Sequence, residues 1–162
     1  MFPEAIRDRA GRVIDRLAAR GEMLVTAESC TGGLIAAALT EIAGSSRAVH
    51  GGFVTYSNAA KVDFIGVAPE LIARWGAVSE SVARAMAEGA RETSGVEVAI
   101  AVTGIAGPGG GSPDKPVGLV YLACATAAGT SVIEKRFGDI GRSTIREQTV
   151  EAALDLVLDA LG

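Results

Sequence analysis

The segment "VEVAIAVTG" (residues 96–104) places the tightest limit on what this chain can fold into. A strand with one wet face alternates apolar and polar side chains, because successive residues point to opposite sides. This run is apolar almost throughout, which fits a strand covered on both faces and therefore a sheet with helices on either side. "MLVTA" (23–27) is a second short apolar run of the same kind, and "GGFVTYS" offers a third strand over 53–56, with Gly51 and Gly52 at its start.

Helical signals alternate with these strands. Ile6, Ala10, Val13, Ile14 and Leu17 recur at helical spacing within 3–20, and 34–42 is alanine-rich and apolar nearly all round. Two short helices follow over 58–65 and 69–74, the second with Pro69 in its first turn. Ser79 is suited to cap a helix reaching about Thr93, with Gly95 just past its end. Residues 104–116, "GIAGPGGGSPDKP", form a long irregular loop, and "VGLVYLACAT" and "TSVIEKRFG" pair across "AAG" as an antiparallel hairpin. Ser143 is suited to cap a last helix ending at Leu161. The expectation is an α/β chain, a three-layer α/β/α sandwich with a mixed, mostly parallel sheet, formed as one domain over residues 1–162.

Composition excludes several classes of function. The formal net charge of -4 lacks the basic face that a nucleic-acid backbone requires. No apolar run approaches the roughly 18 residues of a membrane span, and "MFPEAIRDRAGR" has no apolar signal core, so a soluble, cytoplasmic protein is expected. Cys30, Cys124 and the lone His50 give neither a disulfide framework nor metal-ligand spacing, so no metal and no cofactor are expected.

The chemistry-bearing stretch is "TAESCTGGLIAAAL", where Glu28, Ser29, Cys30 and Thr31 crowd a strand-to-helix turn. At the carboxyl end of a strand in an open α/β sheet, the Ser29 hydroxyl would face a ligand crevice. Backbone N–H groups of Cys30, Thr31 and Gly32 could hold an oxyanion there. Serine at such a turn also serves simply as a helix cap, and the turn alone leaves both roles open. A triad through His50 is disfavoured because no G-x-S-x-G elbow surrounds Ser29, and S-x-x-K fails because Gly32 stands at the fourth position. "YSNAAK" offers Tyr56 and Lys61 instead; a desolvated lysine gives up its proton readily and can serve as base. Cys30 is a rival nucleophile, since a helix start lowers a thiol pKa. The loop "TGIAGPGGG" is neither a P-loop nor a dinucleotide fingerprint, because no G-K-S/T follows and it leads into a strand. Arg142 and Arg146, four apart, would share a helical face as candidate phosphate ligands.

Taken together and in order, "AESCTGG", "YSNAAK", "GAVSESVARAMAEGAR", "TGIAGPGGGSPDKPVG" and "GDIGRSTIR" resemble the CinA C-terminal domain family, whose enzymatic members are nicotinamide-nucleotide amidohydrolases. The resemblance runs from about Ile6 to Leu161. It implies a three-layer α/β/α fold and metal-free hydrolysis of the nicotinamide mononucleotide carboxamide to nicotinate mononucleotide and ammonia. By the same resemblance Ser29 is the nucleophile, and Tyr56 and Lys61 are its general acid–base partners. Cys30, Thr31, Gly32, Thr103, Gly104, Ile105, Ala106, Gly107, Arg142 and Arg146 are then expected around a pyridine nucleotide. A non-catalytic nucleotide-binding or competence-associated interaction module is the alternative of a different class. A homodimer is also expected, because the last helix carries two apolar stripes. One contains Ile145, Ala152, Leu156 and Ala160; the other contains Val150, Leu154, Leu158 and Leu161, and would need a cover.

Overall fold

The computed structural model describes all residues from Met1 to Gly162. Five strands form one sheet in the order β2-β1-β3-β4-β5: β1 Leu24–Glu28, β2 Val49–Val54, β3 Val98–Gly104, β4 Leu119–Thr126 and β5 Gly129–Arg136. β1 pairs in parallel with both β2 and β3, whereas β4 is antiparallel to β3 and β5. Only β4 therefore runs against the other strands. Every residue of β1 is buried, as is β3 up to Thr103, which accounts for their largely apolar character, with Thr26, Glu28 and Thr103 as buried polar exceptions.

Helices α1 (Glu4–Arg20), α2 (Leu34–Thr40) and α6 (Arg142–Leu161) cover one face. Ile14, Leu17, Leu39 and Leu154 meet Leu24, Ile100 and Leu122 there. On the other face α3 (Asn58–Ile65), α4 (Pro69–Trp75) and α5 (Glu80–Ser94) pack through Ile65, Leu71, Val82 and Met86 against Val25, Ala99 and Ala123. The result is the expected α/β/α sandwich. Local signals acted as anticipated at α5: the Ser79 hydroxyl accepts from Val82 N–H at 3.3 Å, and Gly95 closes the helix in the left-handed region. Such a cap contributes about 1 kcal/mol.

Three details differ from expectation. β2 begins at Val49, so Gly51 and Gly52 lie within the strand. Gly52 pairs with Thr26 and sits under Ala36, where a Cβ would overlap the Thr26 hydroxyl. It is a point of close approach between sheet and α2, not a strand breaker. Ser143 does not cap α6. The helix already begins at Arg142, and Ile145 N–H bonds the Gly141 carbonyl at 3.0 Å, leaving Ser143 inside the first turn.

The third difference concerns the dimer expectation. Val150, Leu154, Leu158 and Leu161 are all buried within this chain, as part of the core that α1 shares. α1 is fastened to α6 by Arg9 Nε on Asp155 Oδ1 at 2.8 Å, by Arg16 on the Leu158 carbonyl at 3.0 Å, and by Arg20 on the Leu161 carbonyl. The leucine face is already covered, so it supplies no argument for a second subunit.

Candidate active site

β1 lies between β2 and β3, so the chain leaves its carboxyl end toward one side through α2 and returns to the other through α3–α5. That is the topological switch point at which open α/β sheets form a crevice. Ser29 is the first residue beyond β1. Its N–H extends the sheet by bonding the Val102 carbonyl at 3.1 Å, and its own carbonyl accepts Gly32 N–H at 3.0 Å, which closes the turn.

Lys61 reaches this turn from the first turns of α3. Ser57 starts that helix, its hydroxyl accepting Ala60 N–H at 3.0 Å, and so turns Lys61 inward. The side chain is only 1% exposed and is among the largest fully buried ones in the protein. Nζ lies 3.2 Å from Ser29 Oγ, 2.9 Å from the Thr55 carbonyl and 3.4 Å from that of Tyr56. No carboxylate neutralises it. Desolvation lowers its pKa from the ordinary value of 10.5. In the neutral amine the two N–H bonds can serve the two carbonyls, and the lone pair is left facing the serine hydroxyl.

Glu28 holds the other side of the turn. It is fully buried, and its Oε2 accepts from Thr31 Oγ1 at 2.6 Å, Gly33 N at 3.0 Å and Ile35 N at 3.0 Å. Its Oε1 accepts from Ala36 N at 2.9 Å. The carboxylate therefore consumes the unpaired donors that begin α2. The N–H groups of Cys30 and Ala106 bond no carbonyl or carboxylate, and both residues line the pocket beside Ser29. Sequence reasoning gave Glu28 no role: it ends β1 and α2 begins only at Leu34, so Glu28 does not stand at the position where a helix-start signal is read.

The pocket measures about 220 Å³ and is lined by Ser29, Cys30, Tyr56, Lys61, Thr103, Gly104, Ala106 and Arg142, with Asn58, Ala77 and Val78 added by the fold. Thr103 Oγ1 donates to the Ala77 carbonyl at 2.8 Å and fixes that wall. Tyr56 does not stand between Lys61 and Ser29. Its side chain is 58% exposed, and its hydroxyl accepts from Arg142 at 3.0 Å. Arg142 also donates to the Gly107 carbonyl at 2.8 Å, so it joins Tyr56 to the glycine-rich loop across the pocket mouth.

Arg146, Thr31, Gly32, Ile105 and Gly107 do not line the pocket. Arg146 donates Nε to the Cys30 carbonyl and Nη2 to the Thr31 carbonyl, each at 3.0 Å. It braces the Ser29 turn from α6, so the pair of arginines four apart divides between two tasks. Thr31 is turned into the interior toward Glu28, and Gly32 packs near Arg146. Ile105 spends its N–H on the Leu119 carbonyl and its carbonyl on Gly118 N–H. Gly107 serves through its carbonyl alone. The Cys30 thiol is 5% exposed, and burial pushes its pKa up to about 11, against a role as nucleophile. A larger open groove of about 650 Å³ lies along Pro108, Gly110, Ser112, Arg136 and Asp139, apart from Ser29 and Lys61. No group of three His, Cys, Asp or Glu side chains is placed to hold a metal ion. No helix is long and apolar enough to cross a membrane.

A mixed α/β sandwich that presents a serine to a buried lysine at its switch point defines the structural class. The chain belongs to the CinA C-terminal domain family, whose model matches residues 7–161. A CinA-like protein of Acidobacterium capsulatum is 56% identical over 146 residues, which cover 90% of this chain. The chain spans only 35% of that relative's length. The crystal structure of competence/damage inducible protein CihA from Agrobacterium tumefaciens is 55% identical, with a TM-score of 0.96 over 99% of this chain and 98% of that one. A CinA superfamily protein from Klebsiella pneumoniae is 35% identical, with a TM-score of 0.91 over 96% and 97%.

Proposed function

We propose that the protein hydrolyses the carboxamide of nicotinamide mononucleotide to nicotinate mononucleotide and ammonia, with Ser29 as nucleophile and Lys61 as general base. The observation that carries this reading is the 3.2 Å contact between Ser29 Oγ and a fully buried, uncompensated Lys61 amine. The substrate follows from the resemblance of the five motifs to nicotinamide-nucleotide amidohydrolases, and the site is compatible with it. A pocket of about 220 Å³ suits an aromatic carboxamide, and Arg142 at the mouth suits the phosphate that follows.

Neutral Lys61 takes the Ser29 proton as Oγ attacks the carboxamide carbon. The oxyanion is held by backbone N–H groups of the pocket lining that bond no carbonyl, those of Cys30 and Ala106. Lys61 then gives its proton to the departing nitrogen, so the C–N bond breaks and ammonia leaves an ester on Ser29. Water repeats the sequence: Lys61 removes its proton, the ester carbon is attacked, and Ser29 recovers its hydrogen. Tyr56 contributes through its hydroxyl at the mouth with Arg142, and Lys61 acts on Ser29 directly. Recycling of pyridine nucleotides is the setting such a reaction serves.

The experiment is to follow ammonia release from nicotinamide mononucleotide in wild type, Ser29→Ala and Cys30→Ala. Activity lost in Ser29→Ala and kept in Cys30→Ala supports the assignment. The reverse pattern transfers it to the thiol.

A further inference from the structure

Glu28 is the only carboxylate buried in the chain, and the chemistry proposed for Ser29 and Lys61 leaves it unused. No cation pairs with it; its four partners are the Thr31 hydroxyl and three backbone N–H groups. β-sheet pairing to Val54 and Val102 fixes the backbone at Glu28. From there the side chain passes Ser29 and Cys30 to reach Thr31, so one carboxylate ties the end of β1 to the far side of the nucleophile turn. Four hydrogen bonds of 2.6 to 3.0 Å converge on its two oxygens, which makes this a stiff tie.

We propose that Glu28 is a positioning residue for Ser29. Its carboxylate holds the turn so that Oγ rests on Lys61 at 3.2 Å. The inference rests on the reading of Ser29 as nucleophile. It also explains a division of labour: α2 does not offer its own N-terminus to the oxyanion, because Glu28 already fills it. A carboxylate that served α2 alone would affect folding and leave the reactivity of Ser29 untouched.

Glu28→Gln keeps the shape but turns one acceptor into a donor. Either Ala36 N–H or the group formed by Thr31, Gly33 and Ile35 then meets an amide N–H. Thr31→Val removes one bond of the tie, and Thr31→Ser keeps it. The readouts are the rate at which a fluorophosphonate probe labels Ser29, mapped by peptide mass, and the steady-state kinetics on nicotinamide mononucleotide. Misplacing a reacting atom by about 1 Å costs on the order of 100-fold. Glu28→Gln and Thr31→Val should therefore lose about that much in labelling rate and kcat, with KM within about threefold, and Thr31→Ser should stay close to wild type. The acid limb of the pH–rate profile should not move, since Lys61 is unchanged.

Folded Glu28→Gln or Thr31→Val protein that labels at the wild-type rate overturns the proposal, as does a loss confined to KM. If Glu28→Gln does not fold, Thr31→Val and Thr31→Ser decide. Wild type that labels but does not turn over the nucleotide counts against the substrate alone, and the labelling rates still decide the role of Glu28. Wild type that does not label overturns Glu28 and Ser29 together.

Discussion

Gly89→Ala sets helix propensity against packing, and the two predict opposite signs. Gly89 lies inside α5, where alanine is ordinarily better than glycine by about 1 kcal/mol. A Cβ at this position, however, would overlap the backbone carbonyl oxygen of Ile65, at the end of α3. Overpacking costs typically 1–3 kcal/mol, and a clash with backbone belongs toward the top of that range because no rotamer can relieve it. Subtracting the propensity gain leaves a net destabilisation of about 1–2 kcal/mol. For a chain of this size each kcal/mol moves Tm by about 2–4 °C, so thermal unfolding should shift down by roughly 2–8 °C. The functional consequence travels through α3, because Ile65 lies one turn beyond Lys61. Pushing the helix away draws Nζ from Ser29 and should lower kcat at least about tenfold, with little change in KM. A Gly89→Ala protein that melts at or above the wild-type temperature would refute the packing argument. One that is destabilised but fully active would break the link from α5 to the lysine.

Other outcomes follow from the same geometry. Ser29→Ala should lose several orders of magnitude in turnover, roughly the scale for removing an acting nucleophile, while circular dichroism and nucleotide binding stay near wild type. Lys61→Arg should be nearly as inactive as Lys61→Ala, because a guanidinium keeps its proton; an active arginine variant would remove the lysine from the role of base. Desolvation lowers the Lys61 pKa, so the rate should rise with pH through that value, below the ordinary 10.5. Between the lowered value and 10.5 the unfolded lysine binds more protons than the folded one, so wild-type stability should improve with pH relative to Lys61→Met. With the Cys30 thiol raised to about 11, iodoacetamide at pH 8 should leave activity intact, and rapid inactivation by alkylation at Cys30 would contradict its burial.

The layers of the fold were legible because burial leaves a mark on residue type. β1 and β3 read as covered strands because both faces are apolar, and α5 announced both ends through Ser79 and Gly95. Breaker logic failed at Gly51 and Gly52, which lie inside β2; Gly52 serves where α2 crosses the strand closely, and spacing along one chain does not reveal that. The leucines of α6 showed that two apolar stripes exist but not what meets them; α1, about 140 residues away in sequence, does so. At the site, motif resemblance brought Ser29 and Lys61 together, and the fold added the direct contact. Arg142 and Arg146 share a helix face, yet only tertiary structure shows that one reaches the pocket mouth while the other braces backbone carbonyls. Glu28 was visible in the motif, but its four donors are assembled only when α2 folds back over the turn.

The central claim is that this serine–lysine site deamidates a pyridine nucleotide, and product analysis on the purified protein tests it most directly. Nicotinamide mononucleotide should yield nicotinate mononucleotide and ammonia in equal amounts, with a rate unaffected by chelators and abolished in Ser29→Ala and Lys61→Ala. A wild-type protein that binds the nucleotide and releases no ammonia above the Ser29→Ala background would contradict the account and leave a binding module in its place.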